Sequence, residues 1–194
     1  MPTDPATPHH RRSIRLPGYD YAQEGAYFIT LCTHNREHLF GEIVNGEMVL
    51  NDVGKIVHDE WNHTSIIRPT IELGEFVVMP NHFHGIIIIH ESVGAYGATY
   101  APPKRSGVGR RAPTGDIPTY EQFGKPVAGS IPTVVRGFKS AATKRINIFR
   151  NTPGVPVWQR NYYEHIIRNE KSYFEIAQYI FDNPAHWETD SEFS

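Results

Sequence analysis

The chain predicts an α+β domain, an antiparallel sheet with helices packed on it, and three observations carry that expectation. Short β-branched runs and amphipathic stretches succeed one another as strand, hairpin, helix, two strands, loop, helix, short strand and helix. Asn45-Gly46 separates two short apolar runs, the strongest local hairpin signal. The stretch Phe76–His90 breaks once, at Pro80-Asn81, and so reads as two strands joined tightly.

Taken in order, residues 1–18 are polar and Pro-rich and are expected to form a flexible arm, with Arg11, Arg12 and Arg15 as basic residues. Tyr27 to Thr33 reads as the first strand and His34 to His38 as a polar turn. Phe40–Val44 and Met48–Leu50 flank the Asn-Gly turn. Asn51-Asp52 then caps a helix running to about Ile67, with Val53, Ile56, Val57, Glu60 and Trp61 on a helical period and Pro69 ending it. Two strands follow, from about Ile71 to His90. Ile86 to Ile89 shows no polar alternation, which predicts a central strand covered on both faces.

Residues 91–129 are rich in Gly, Pro, Ser and Ala and read as a long basic loop. Ser130 and Pro132 mark a helix start, and Val134, Val135, Phe138, Ala141, Ala142, Ile146 and Phe149 give it an apolar stripe. Val157 to Arg168 reads as extended structure. Asn169 caps a last helix from Glu170 to Asp182, with Tyr173, Ile176, Ala177 and Ile180 on its core face and Asn183-Pro184 as its stop. Residues 188–194 form an acidic tail, which leaves 19–187 as one domain. This order suits helices on one face of an antiparallel sheet, a ferredoxin-like arrangement.

Composition narrows the function classes. The chain has 194 residues, enough for one domain with a sizeable core and too few for a second full one. No apolar run approaches the ~18–20 residues of a membrane span, and the polar N-terminus is not a secretory signal. The single cysteine, Cys32, excludes an internal disulfide, reads as a small core residue and fits a reducing cytoplasm. Net charge is −2, yet residues 101–150 hold ten Lys/Arg against Asp116 and Glu121. Such a local cationic excess suggests a groove for a polyanion. On the helix within it, Arg136, Lys139, Thr143 and Lys144 fall largely off the apolar stripe; a solvated face is the plainer alternative.

His82 and His84 stand two residues apart at the start of the isoleucine strand, so both imidazoles emerge on one face while Phe83 goes to the other. Two imidazoles side by side make half of a divalent-metal site. A pair of polar residues at a strand end is the alternative, and the spacing does not name a metal. His90 continues the same face further along, while His9 and His10 fall in the arm.

Four motifs in one order resemble a known family. Met79-Pro-Asn-His-Phe-His-Gly is similar to the His-hydrophobic-His signature of HUH single-tyrosine transposases, and in particular of REP-associated tyrosine transposases. Phe138-Lys139-Ser140, Val157-Trp-Gln-Arg with Tyr163-Glu-His-Ile-Ile-Arg-Asn-Glu, and Tyr179-Ile-Phe-Asp-Asn-Pro also resemble that family, over roughly residues 20–187. The resemblance implies a ferredoxin-like fold, Mg²⁺ or Mn²⁺ held by His82 and His84, and Tyr179 as nucleophile. Asn183 stands where related transposases carry a further amide ligand. It implies cleavage and rejoining of single-stranded hairpin DNA through a 5′-phosphotyrosine, by a monomer or homodimer working in the bacterial cytoplasm at the nucleoid. Arg110, Arg111, Arg136, Lys139 and Lys144 are the candidate DNA contacts, joined by His165 and Arg168. Tyr162 and Tyr163 are expected to pack or stack, and Tyr173 to face the core. Two rivals are a non-catalytic nucleic-acid-binding module of the same fold and a metal-dependent phosphohydrolase.

Overall fold

The computed structural model describes residues 19–90 and 127–189. Its elements are β1 (Gly25–Cys32), the hairpin β2 (Gly41–Val44) and β3 (Glu47–Leu50), α1 (Asp52–Ile66), β4 (Ile71–Val78), β5 (His82–Ile89), α2 (Ile131–Arg150), β6 (Tyr163–Ile167) and α3 (Glu170–Asp182). The main sheet has the order β4-β5-β1-β6 with every neighbouring pair antiparallel. That is the ferredoxin-like order, with the β2–β3 hairpin inserted before α1.

Local chemistry sets the boundaries. Asn45 and Gly46 take φ 53° and 79°, the left-handed pair that matches a hairpin turn to the twist of its strands. The Asn51 side chain accepts from the Gly54 N–H at 2.9 Å and that of Asn169 from the Ser172 N–H at 2.8 Å, each satisfying a donor that a helix start leaves open. Pro132 lies in the first turn of α2, where its missing N–H costs nothing. The stretch 157–168 resolves into an isolated bridge, Thr33 to Trp158, followed by β6.

Strand alternation divides the interior in two. Phe83, Ile87 and Ile89 of β5, with Tyr27, Ile29 and Leu31 of β1, meet Val57 and Trp61 of α1 and Val134, Phe138 and Ile146 of α2. The Trp61 ring lies 4.6 Å from that of Phe83 and 5.1 Å from that of Phe138. Gly85 admits it, since a Cβ there would come within 2.8 Å of Trp61 Cζ2.

The expected placement of all helices on one face is corrected here. Only α1 and α2 share a face. α3 lies on the other, where Ala177 and Ile180 pack with Phe28, Ile86 and Ile167. The cause is the unalternating isoleucine run, which makes both faces of β5 apolar and leaves the second in need of a cover. Beyond α3 a 3₁₀ segment, Asn183–Thr189, carries Trp187 back onto the fold, 7% exposed. Residues 190–194 of the acidic tail, the arm 1–18 and residues 91–126 of the expected loop lie outside the described residues. Among the described residues no helix is long and apolar enough to cross a membrane.

Candidate active site

β5 begins at His82, directly after the Pro80-Asn81 turn, and its alternation sends both imidazoles to the α3 face with ring centroids 4.5 Å apart. Both are buried, at 0% and 2% exposure. Neighbouring groups fix their orientation. Asn81 Oδ1 accepts from His82 Nδ1 at 2.8 Å, so Nδ1 carries a proton. Asn81 is itself held from Thr33, whose N–H and Oγ1 reach the Asn81 carbonyl at 2.8 and 2.9 Å. His84 Nδ1 meets Thr30 Oγ1 at 2.9 Å, its partner across the β1–β5 ladder. His84 stacks on Phe28 and His82 on Trp187, at 5.3 and 5.8 Å. Burial, reinforced by His82 beside it, holds the His84 imidazole well below its ordinary value, so it is neutral.

α3 supplies Tyr179. Its hydroxyl lies 3.2 Å from His84 Nε2, its ring is T-shaped against Phe28 at 6.2 Å, and it is 44% exposed. A hydroxyl thus sits at the imidazole pair on a half-exposed side chain. Asn183 ends α3 one turn later and is buried, and Trp187, four residues further on, lies against His82. Other tyrosines are differently occupied. Tyr173 donates to Glu75 Oε2 at 2.8 Å and is pushed up to about 12 by burial and that carboxylate. Tyr27 donates to the Gln23 carbonyl and is pushed up further, mainly by burial. Tyr162 packs into the α1–α2 side of the core.

The remaining candidates are scattered. His165 and Tyr163 are exposed on the same face of β6 as the imidazoles, paired across the ladder with Phe28 and Thr30. Arg168 is exposed just past β6. Arg136 and Lys144 are exposed on α2, across the sheet from the imidazoles. Lys139 departs from the solvated basic face expected of it. Its amine turns inward and donates to the Gln159 carbonyl at 2.7 Å, with that of Arg160 at 3.4 Å, and burial pushes it down to about 8. His90 sits at the far end of β5, paired with Glu72 at 2.6 Å. Arg110 and Arg111 lie outside the described residues.

Among the described residues no three His, Cys, Asp or Glu side chains cluster as a metal site. The donor set suits an open site, in which two imidazoles with fixed rings and one amide leave room for water or substrate oxygen. Such nitrogen donors favour Mn²⁺ over Mg²⁺, which prefers oxygen. Thr30, Thr33, Asn81, Phe28 and Trp187 were not singled out by the sequence reading. Asn81 carried a signal, being next to His82; the others depend on which strand pairs with β5 and where the chain goes after α3.

No protein-family model matches the chain. An uncharacterized protein of Haemophilus influenzae is 44% identical over 182 residues, covering 94% of this chain and 92% of the other. Among solved structures, a REP-associated tyrosine transposase bound to a REP hairpin matches with a TM-score of 0.50 at 18% identity, over 84% of this chain and 67% of that one. A candidate transposase of Deinococcus radiodurans matches with a TM-score of 0.42 at 17% identity, over 87% and 95%.

Proposed function

The chain belongs to one family with the Haemophilus influenzae protein and shares the fold of the REP-associated tyrosine transposase, and from that premise we propose that it is a transposase-like enzyme which breaks and rejoins single-stranded hairpin DNA through Tyr179. One observation carries the reading: the hydroxyl of a half-exposed tyrosine 3.2 Å from one of two adjoining buried imidazoles.

In the proposed step Tyr179 Oη attacks the phosphorus, an Oη–P bond forms and the P–O3′ bond breaks. The DNA 3′ oxygen leaves with a proton, and a 5′-phosphotyrosine remains. Because the linkage conserves the bond energy, reversal by another 3′-OH needs no nucleotide cofactor. His84 is a poor acceptor for the phenol proton, since burial disfavours its charged form; in this reading that proton goes to solvent, to which the Tyr179 residue is half-exposed. A neutral imidazole is instead what a metal ligand must be. His82 and His84 would hold Mn²⁺ or Mg²⁺, with Asn183 as a further amide ligand, and the ion would supply charge neutralisation at the phosphate. Phe28 and Trp187 stack on the two rings and keep them in place.

The test is incubation of the full chain with single-stranded hairpin DNA and Mn²⁺, followed by denaturing electrophoresis. A denaturation-resistant protein–DNA adduct is expected from the wild type and none from Tyr179→Phe. Cleavage without adduct would mean that water attacks, as in a phosphohydrolase; binding without cleavage would leave a nucleic-acid-binding module.

A further inference from the structure

Two neighbouring tyrosines at the start of β6 have opposite surroundings, Tyr162 just before the strand and Tyr163 its first residue. Tyr162 packs into the α1–α2 side of the core, whereas Tyr163 points to the α3 face and is 46% exposed. α3 covers Ile167 and Phe28 but leaves the outer edge of that face open, so Tyr163 and His165, two residues apart, present their rings side by side to solvent. Tyr163 is not remote from the chemistry. Its ring is T-shaped against Phe28 at 6.4 Å, and the same Phe28 ring meets Tyr179 at 6.2 Å and stacks on His84 at 5.3 Å. Phe28 thus stands between an exposed aromatic on the sheet edge and the reactive hydroxyl. Arg160 and Arg168, both exposed, flank β6 on its two sides in sequence.

We propose that Tyr163, with His165 beside it, is a nucleobase platform, stacking an unpaired base of a DNA strand whose phosphate lies at Tyr179. An exposed aromatic row on a four-stranded sheet face is a general device for holding unpaired bases, because every base offers a π face. Cationic side chains at both ends of the row suit the backbone that carries those bases. The inference rests on the proposed DNA-strand chemistry and adds to it the part of the substrate held beside the scissile bond, a single-stranded base in place of a paired one.

The experiment measures binding of the full chain, in EDTA to prevent cleavage, to a single-stranded oligothymidylate of about 12 nucleotides bearing one 2-aminopurine, long enough to span a groove. Tyr163→Ser should weaken binding about tenfold and abolish the 2-aminopurine quenching, while Tyr163→Phe, which keeps the ring, retains both. The salt dependence should be unchanged in Tyr163→Ser, since no phosphate contact is lost, whereas Arg168→Ala should flatten the slope by about 0.7. On an oligonucleotide of abasic sites Tyr163→Ser and wild type should bind alike. Equal loss on abasic and normal strands overturns the platform, because the residue then acts through the fold. So does wild-type binding by Tyr163→Ser while the adduct at Tyr179 still forms, which leaves the strand-transfer reading standing. If the wild type binds no single strand at all, the reading and the platform fall together.

Discussion

The two faces of the sheet are made by the same strands and do opposite things. Along β5, Phe83, Ile87 and Ile89 enter an aromatic core with Tyr27, Trp61 and Phe138. One residue out of step, His82 and His84 are just as buried but are spent on polar neighbours, Asn81, Thr30 and Tyr179. Burial alone therefore does not separate core from site in this protein. What separates them is which helix lies on top. α1 and α2 bring aliphatic and aromatic side chains, while α3 brings a narrow apolar stripe with Tyr179 beside it and Asn183 at its end. Strand periodicity lets one element serve stability and chemistry with little crosstalk, and variants on the two faces should differ accordingly.

The largest difference is expected at Tyr179. Tyr179→Phe removes one oxygen from a half-exposed ring and keeps the contacts with Phe28 and His84, so the unfolding midpoint should stay close to wild type while the covalent adduct disappears. A large loss of stability would mean that the α3 face is also core and would break the contrast. Phe83→Ala, next to both histidines in sequence, should do the reverse. It opens a cavity among Trp61, Phe76 and Phe138, and truncation of a buried Phe costs about 3–5 kcal/mol. Urea unfolding measures it. Such fold as survives should still bind Mn²⁺, because the imidazoles face away.

Between these extremes lies Asn81, which joins the faces through a hydrogen bond in place of packing. Asn81→Ala removes the acceptor that holds a proton on His82 Nδ1. Loss of such a partner typically weakens metal binding about 10–100-fold, measurable by calorimetric titration with Mn²⁺. Asn81→Asp supplies an acceptor again and should recover most of it. If the alanine variant binds Mn²⁺ as the wild type does, the tautomer is fixed by something else or His82 is not a ligand.

How far the sequence alone could go follows from the same geometry. Asn51, Asn169, Asn45-Gly46 and the isoleucine run are local signals and mark caps, turn and central strand correctly. The two histidines share a face because alternation is local too. Tyr179 could be singled out by resemblance, while its approach to His84 depends on α3 crossing to the second face, which helical periodicity does not specify. Thr30 and Phe28 join the site only through the β1–β5 register, a pairing of residues more than fifty positions apart. Lys139 misled because a helical wheel assigns it to the outside, yet a lysine stem is long enough to carry the amine back to the Gln159 carbonyl.

Lys139 also gives the smallest expected effect, one that belongs wholly to the fold. Its amine fastens α2 to the carbonyls of Gln159 and Arg160, and burial lowers it from 10.5 to about 8. Below pH 8 the amine is charged in both folded and unfolded chains, and the cost of burying the charge is fully present. Between about pH 8 and 10.5 the folded chain has released a proton that the unfolded chain keeps, so that cost fades and stability rises with pH. Above 10.5 the two states are alike again. Tyr27 and Tyr173 act the other way above pH 10, because their raised values make the folded chain hold its phenol protons longer. The informative quantity is therefore the difference between wild type and Lys139→Met, which keeps the stem and removes the charge. That difference should move in favour of the wild type across the pH 8 to 10.5 window, read from urea midpoints, while the salt slope of DNA binding stays the same in both. A flat difference together with a slope lower by about 0.7 would return Lys139 to the DNA backbone and dissolve its assignment to the core side of the sheet.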